Sequence, residues 1–194
     1  MSYDIRLKDP ITKETVEFDE PHQMKGGTYQ IGGTREAWLN ITWNYSEYYY
    51  EATENDSRFF GKLPDDDEND EPRNLGIRGI YGKTGAESLK MLADMIYRID
   101  CKYKKDGEWI STERDEVRYI DKQTGKEISN AEVLHRLLHV DDAENTYIQE
   151  EYKKVVSEGY NSDYWTPTAE NAIRPLLQLV AMAQMRPDGI WKGD

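Results

Sequence analysis

The residues whose types and spacing could do chemistry are Asn40, Thr42 and Asn44, every second position of an alternating run that follows the pair Gly26-Gly27-Thr28 and Gly32-Gly33-Thr34. On a strand they share one face, and three amide or hydroxyl groups on one face can converge on a small polar ligand. Asparagine is depleted in strands, so two in one short strand need a reason. A ligand pocket is one; the solvated face of an antiparallel sheet is the other. Thr34 and Arg35, at the entrance of the strand, add a hydroxyl and a positive charge. Trp165 and Asn171 offer a second wall, because they flank a helix start at Thr166-Pro167-Thr168 whose free amides suit an anion or a carboxylate. A cap with a hydrophobic staple explains the same residues without a ligand.

Other constellations are weaker. The glycine pairs can expose amides to an anion, but neither a Gly-x-x-x-x-Gly-Lys-Thr loop nor a dinucleotide fingerprint is present. His135 and His139 have the spacing of two metal ligands on a helix, yet lack the glutamate beside the first histidine that the zinc protease motif needs, so no metal is expected. No serine, histidine and aspartate arrangement can be read from spacing, and no cofactor is implied. Asp65, Asp66, Asp67, Glu68, Asp70 and Glu71 form a dense acidic run without the alternating ligands and central glycine of a calcium loop. Such a run is either a solvated loop or a partner-binding surface that imitates a phosphate backbone.

The elements that must position these groups are bounded by composition. The 194 residues suit a single domain, and the 14 tyrosines and five tryptophans argue for a core built largely from aromatic area. A formal charge of −13 disfavours nucleic acid and anionic membranes as direct partners and leaves a basic protein open. Cys101 is the single cysteine, which excludes an internal disulfide and fits a reducing compartment. The charged N-terminal residues do not read as a signal peptide, and no apolar run reaches the roughly 18 residues of a membrane span, so a cytosolic protein is expected.

Period-two patterning at residues 3–8 and 14–18, around the turn Asp9-Pro10, predicts an opening hairpin. A central strand follows at 36–45, then a solvated acidic insertion at about 55–74. Thr84-Gly85-Ala86-Glu87 is a capping box before a helix at about 85–103. A second hairpin runs from Trp109 to Ile128, and a short helix ends near His139 with Val133, Leu134, Leu137 and Leu138 on its core face. A polar helix at 144–158 and a last helix after Thr168 complete the chain; Pro175 either kinks that helix or marks its start. The sum is an α+β fold: an antiparallel sheet of hairpins packed with three to four helices.

Three stretches then carry a resemblance: Gly26 to Tyr45, Ile80-Tyr81-Gly82-Lys83-Thr84-Gly85-Ala86-Glu87-Ser88, and Tyr164 to Thr168 with the ending Pro187 to Asp194. They resemble small uncharacterised proteins of bacteriophages and prophages. The resemblance implies phage origin and action in the host bacterial cytoplasm, outside the virion, and carries over no catalytic residue. Two functions follow as expectations. One is a non-structural accessory protein that binds, and thereby inhibits, a host or defence protein. The other is a nucleotide-like ligand pocket at Gly26–Asn44 and Tyr164–Asn171.

Overall fold

Alternation decides the first strand: Tyr3, Ile5 and Leu7 are fully buried while Asp4, Arg6 and Lys8 face outward. In a computed structural model of the chain, residues 2–23, 33–63 and 66–194 are described. The Gly26-Gly27-Thr28 loop and Asp65 lie outside them. The elements, in chain order, are β1 (Ser2–Lys8), β2 (Glu17–His22), β3 (Thr34–Glu36), β4 (Trp38–Thr42), α1 (Ser46–Thr53), β5 (Phe60–Gly61), β6 (Arg73–Asn74), α2 (Gly85–Tyr103), β7 (Lys104–Lys105), β8 (Glu108–Trp109), β9 (Ser111–Asp121), β10 (Glu127–Ile128), α3 (Asn130–His139), β11 (Tyr147–Ser157), α4 (Ala169–Met185) and β12 (Ile190–Gly193). The fold is α+β. Length and composition suit one domain; the contacts gather the chain into two compact units, residues 1–110 with 158–194, and residues 111–157.

In the first unit β1 is the middle of a three-stranded antiparallel sheet ordered β12-β1-β4. This corrects the expected opening hairpin. The chain does reverse at Asp9, whose carboxylate accepts from Ile11 and Thr12 N–H, and Thr15 makes one bridge to Lys8. Beyond that bridge β2 leaves to pair with β3. The apolar face of β1 is completed instead by Leu39 and Ile41 of β4 and by Trp191 of β12, all fully buried. The expected strand at 36–45 is also shorter. It stops at Thr42, whose hydroxyl accepts the Asn44 N–H and caps a 3-10 turn at Trp43–Tyr45 that runs into α1.

α2 starts at the capping box: Glu87 N–H donates to Thr84 Oγ1 at 3.2 Å while Thr84 N–H donates to Glu87 Oε2 at 2.8 Å. Its buried face, Met91, Leu92, Met95 and Ile99, packs on α4. α4 begins at Ala169 behind the Thr168 cap and carries the buried Pro175 inside it. Tyr3, Tyr45, Tyr49 and Trp191 are fully buried, in a core whose more numerous members are aliphatic, among them Ile5, Leu7, Leu39, Ile41, Ile77, Ile80 and Leu92. The acidic insertion is pinned at its base by the β5–β6 ladder and by buried Phe59 and Leu75.

The second unit is a long ribbon, β9 against β11 over eleven residue pairs, with β10 on the other edge of β9 and one helix, α3. β11 replaces the polar helix expected at 144–158. The charges that read as a helix surface are cross-strand partners: Lys153 faces Asp115 at 2.6 Å, Glu150 faces Arg118 at 3.0 Å, and Lys154 reaches Glu116 at 3.2 Å. The core face expected for α3 is corrected too. Val133 is buried, but Leu134, Leu137 and Leu138 are exposed.

Candidate functional site

The two expected ligand walls meet. Asn44 Nδ2 donates to the Trp165 carbonyl at 2.7 Å, and the Tyr45 hydroxyl donates to the Tyr164 carbonyl. The contact consumes the polar groups that were to hold a ligand. Asn171, 2% exposed, donates from Nδ2 to the carbonyls of Asn161, Thr166 and Asp163 at 3.0, 3.3 and 3.4 Å, and accepts the Asn161 N–H on Oδ1. It is the staple of the 161–166 loop. Thr42 caps the turn after β4, and Asn40 Nδ2 donates to Ser2 Oγ at 2.9 Å across the sheet. Thr34 Oγ1 accepts the Glu36 N–H, and Arg35 Nε donates to the Phe18 carbonyl at 2.9 Å, so both serve the β2–β3 ladder. Trp165 keeps an exposed ring tilted over Tyr164.

The acidic run has its own architecture. Asp66 accepts the Leu63 N–H and pairs with Arg73 at 2.7 Å, and its carboxyl is held below the usual range mainly by that guanidinium. Asp67 accepts from Asn69, and Asp70 accepts the Asp67 N–H. Glu68 and Glu71 are exposed. Three of the carboxylates therefore shape the loop, and the two glutamates face solvent. Among the described residues no three His, Cys, Asp or Glu side chains are placed to hold a metal, and no helix is long and apolar enough to cross a membrane.

Two places in the first unit hold dense polar chemistry. A cleft of about 220 Å³ is lined by Tyr48, Glu51, Arg98, Lys102 and Tyr103. Its charges are matched: Glu51 Oε2 accepts from Lys102 at 2.7 Å and from the Tyr103 hydroxyl at 2.8 Å, while Arg98 donates to Asp56 and to the Ala52 carbonyl, both at 2.8 Å. Burial, then the Glu51 carboxylate, pushes the Tyr103 phenol well up. Beside it the buried Glu158 carboxylate accepts from Tyr48 Oη at 2.6 Å and from the Ala169 N–H at 2.9 Å, tying α1 to the start of α4. This cleft is a clamp. The second place is the reverse, because three buried polar atoms there, Tyr3 Oη, Arg78 Nε and Tyr81 Oη, have no partner among the described residues. Each such group costs about 1–3 kcal/mol if it stays unpaired.

In the second unit the informative feature is apolar. Leu134, Leu137 and Leu138, neighbours at helical spacing on α3, are 58%, 47% and 68% exposed, and Val155 on β11 is 68% exposed. Against them the buried apolar side chains of this unit are Val133 and Ala143. A groove of about 440 Å³ lies beside α3, lined by Asp121, Lys122, Gln123, Arg136, Val140, Asn145 and Thr146. Arg136 pairs there with Asp121 at 2.6 Å, and the Thr124 N–H, then this guanidinium, lower the Asp121 carboxyl to about 2. Sequence periodicity finds α3; what it misses is that the helix presents its leucines outward. No protein-family model, no curated protein and no solved structure matches this chain.

Proposed function

We propose that the chain is a phage-encoded accessory protein that acts by binding a protein partner through its second unit, and that it inhibits a host or defence protein of the bacterium. The observation that carries the binding reading is the exposed leucine stripe of α3 on a unit with almost no core of its own. A ribbon of two long strands is marginal in water, and a 47-residue unit with two buried apolar side chains is far below what a self-sufficient core needs. Its apolar side chains are presented rather than spent on packing. A stripe at i, i+3 and i+4 is the pattern by which a helix enters an apolar groove. Asp141, Asp142 and Glu144, all exposed just beyond the helix, and the −13 charge of the chain match a groove rimmed by Lys or Arg. The phage-like motifs support the bacterial setting.

The test is capture from bacterial lysate at physiological salt, with wild type and Leu134→Glu/Leu138→Glu side by side. Both leucines are exposed, so the variant keeps the circular dichroism and melting temperature of wild type. The reading expects a partner retained by wild type and lost by the variant, and a purified partner whose own activity falls on addition of wild type alone. Capture of the same protein by both forms, or by neither, overturns it.

A further inference from the structure

The 3-10 turn at Gly76–Ile80 sets Arg78 between buried Ile77 and Ile80 and lays its guanidinium over two rings, 5.1 Å from the Trp43 centroid and 5.4 Å from that of Tyr3. Tyr3 and Trp43 are themselves stacked at 4.7 Å, with Tyr50 edge-on to Trp43 at 6.4 Å. The rings fix the guanidinium plane in advance. No carboxylate among the described residues pairs with it, although the chain has 38 Asp and Glu against 25 Lys and Arg. Arg58, Arg73, Arg98, Arg136 and Arg186 all hold carboxylates. Among the described residues Arg6 and Arg35 also lack one, Arg6 lying over Trp38 and Arg35 donating to the Phe18 carbonyl; what sets Arg78 apart is a buried Nε with no hydrogen-bond partner.

The hydroxyls around it repeat the signal. Tyr81 Oη is buried without a partner among the described residues, as is Arg78 Nε, while Tyr3 Oη is buried facing the Tyr50 side chain without a close hydrogen bond to it. Tyr81 Oη lies directly under Gly193, where any side chain would collide with it. Trp43, Tyr50, Arg78 and Tyr81 are each half-buried, so solvent reaches part of each side chain. We propose that Arg78, with the hydroxyls of Tyr3 and Tyr81 and the rim of Trp43 and Tyr50, is a binding site for a small oxyanion, a carboxylate or a phosphate group. A forked guanidinium and hydroxyl donors are the chemistry such an anion takes. Asp4 and Asp194 face Tyr81 from β1 and the C-terminal end; both are engaged, Asp4 by Trp38 Nε1 and Asp194 by the Asp4 N–H at 2.8 Å. Both donors are neutral, so the two carboxylates keep their charge and weigh against an anion the more, the more negative charges it carries.

The experiment measures the melting temperature of the full chain against sodium phosphate, sodium acetate and sodium tripolyphosphate, each matched to sodium chloride at equal ionic strength. A ligand of the native state raises the melting temperature and saturates. Phosphate or acetate is expected to do so and tripolyphosphate is not, and whichever of the first two acts names the source of the oxyanion. Arg78→Gln abolishes the rise. Arg78→Lys keeps the charge without the fork and weakens the apparent affinity at least tenfold. Tyr81→Phe separates binding from folding: it removes an orphan hydroxyl, so it leaves the anion-free melting temperature unchanged or higher, while weakening the anion several-fold. No saturable response to phosphate or acetate overturns the site, as does an equal response in wild type and Arg78→Gln. A crystal soaked in both probes that shows only water between Tyr3 Oη and Tyr81 Oη does the same.

Discussion

At the scale of single residues, the polar side chains that look most like ligand contacts divide by what they already hold. Asn171 is buried and its amide satisfies three carbonyls and one N–H of a loop that has no other regular structure. Removing it leaves a cavity at a buried position and takes a partner from the half-buried Asn161 and Thr166 backbone, while the exposed Asp163 carbonyl keeps the Thr166 N–H; an unpaired buried group costs about 1–3 kcal/mol. Asn171→Ala is therefore expected to lower stability by about 2–4 kcal/mol. Asn44 is exposed and makes one bond to the Trp165 carbonyl, which water replaces on truncation. Asn44→Ala is expected to cost about 1 kcal/mol or less. Urea denaturation of the two variants checks the ordering, and equal midpoints would show that the 161–166 loop does not hang on Asn171. Arg78 is the opposite kind of residue, because its importance lies in a bond it lacks.

At the scale of elements, the last strand ties the edge of the sheet to α2. Trp191 of β12 is fully buried, and its Nε1 donates to Ser88 Oγ at 2.7 Å, which in turn donates to the Gly85 carbonyl at 2.8 Å. One side chain thus locks the sheet edge to the first turn of α2. Trp191→Ala is expected to cost about 3–5 kcal/mol, and Trp191→Phe, which keeps most of the area and loses the indole bond, about 1–2 kcal/mol. Thermal denaturation separates the two; a loss under about 1 kcal/mol for the alanine variant would mean that β12 is not needed to close the sheet. That strand also marks the limit of reading this sequence. α2 is legible because the Thr84 to Glu87 box and its 3.6-residue stripe are local. Ile190–Gly193 is not, since four residues become a strand only by pairing with β1, nearly the whole chain away. Residues 147–157 mislead for the same reason: their charges are matched by Asp115, Glu116 and Arg118, which no local window contains. The α3 period is legible while its direction is not, because the period shows which residues share a face and not whether anything covers it. The Asn40–Asn44 row fails at its last member, where the Thr42 cap ends the strand one residue after Ile41.

At the scale of the whole molecule, charge and apolar surface act on different steps of association. A net charge of −13 acts at a distance, so it governs how often a basic partner is met in a productive orientation. In the proposed complex the leucines of α3 act only in contact, and would govern how long it lasts. Raising sodium chloride from about 0.05 to about 0.5 M shortens the screening length from roughly 14 Å to roughly 4 Å, since it scales with the inverse square root of ionic strength. The association rate with the captured partner is then expected to fall by about one to two decades, while the dissociation rate changes less than about threefold. Leu138→Glu should show the inverse: an association rate close to wild type, because one added negative charge barely alters the field, and dissociation faster by at least tenfold. Surface plasmon resonance at two salt concentrations with the two forms reads all four rates. Salt acting mainly on dissociation would place the contact on the carboxylates, with the exposed glutamates of the 66–71 loop as the next segment to substitute, and would remove α3 as the docking element.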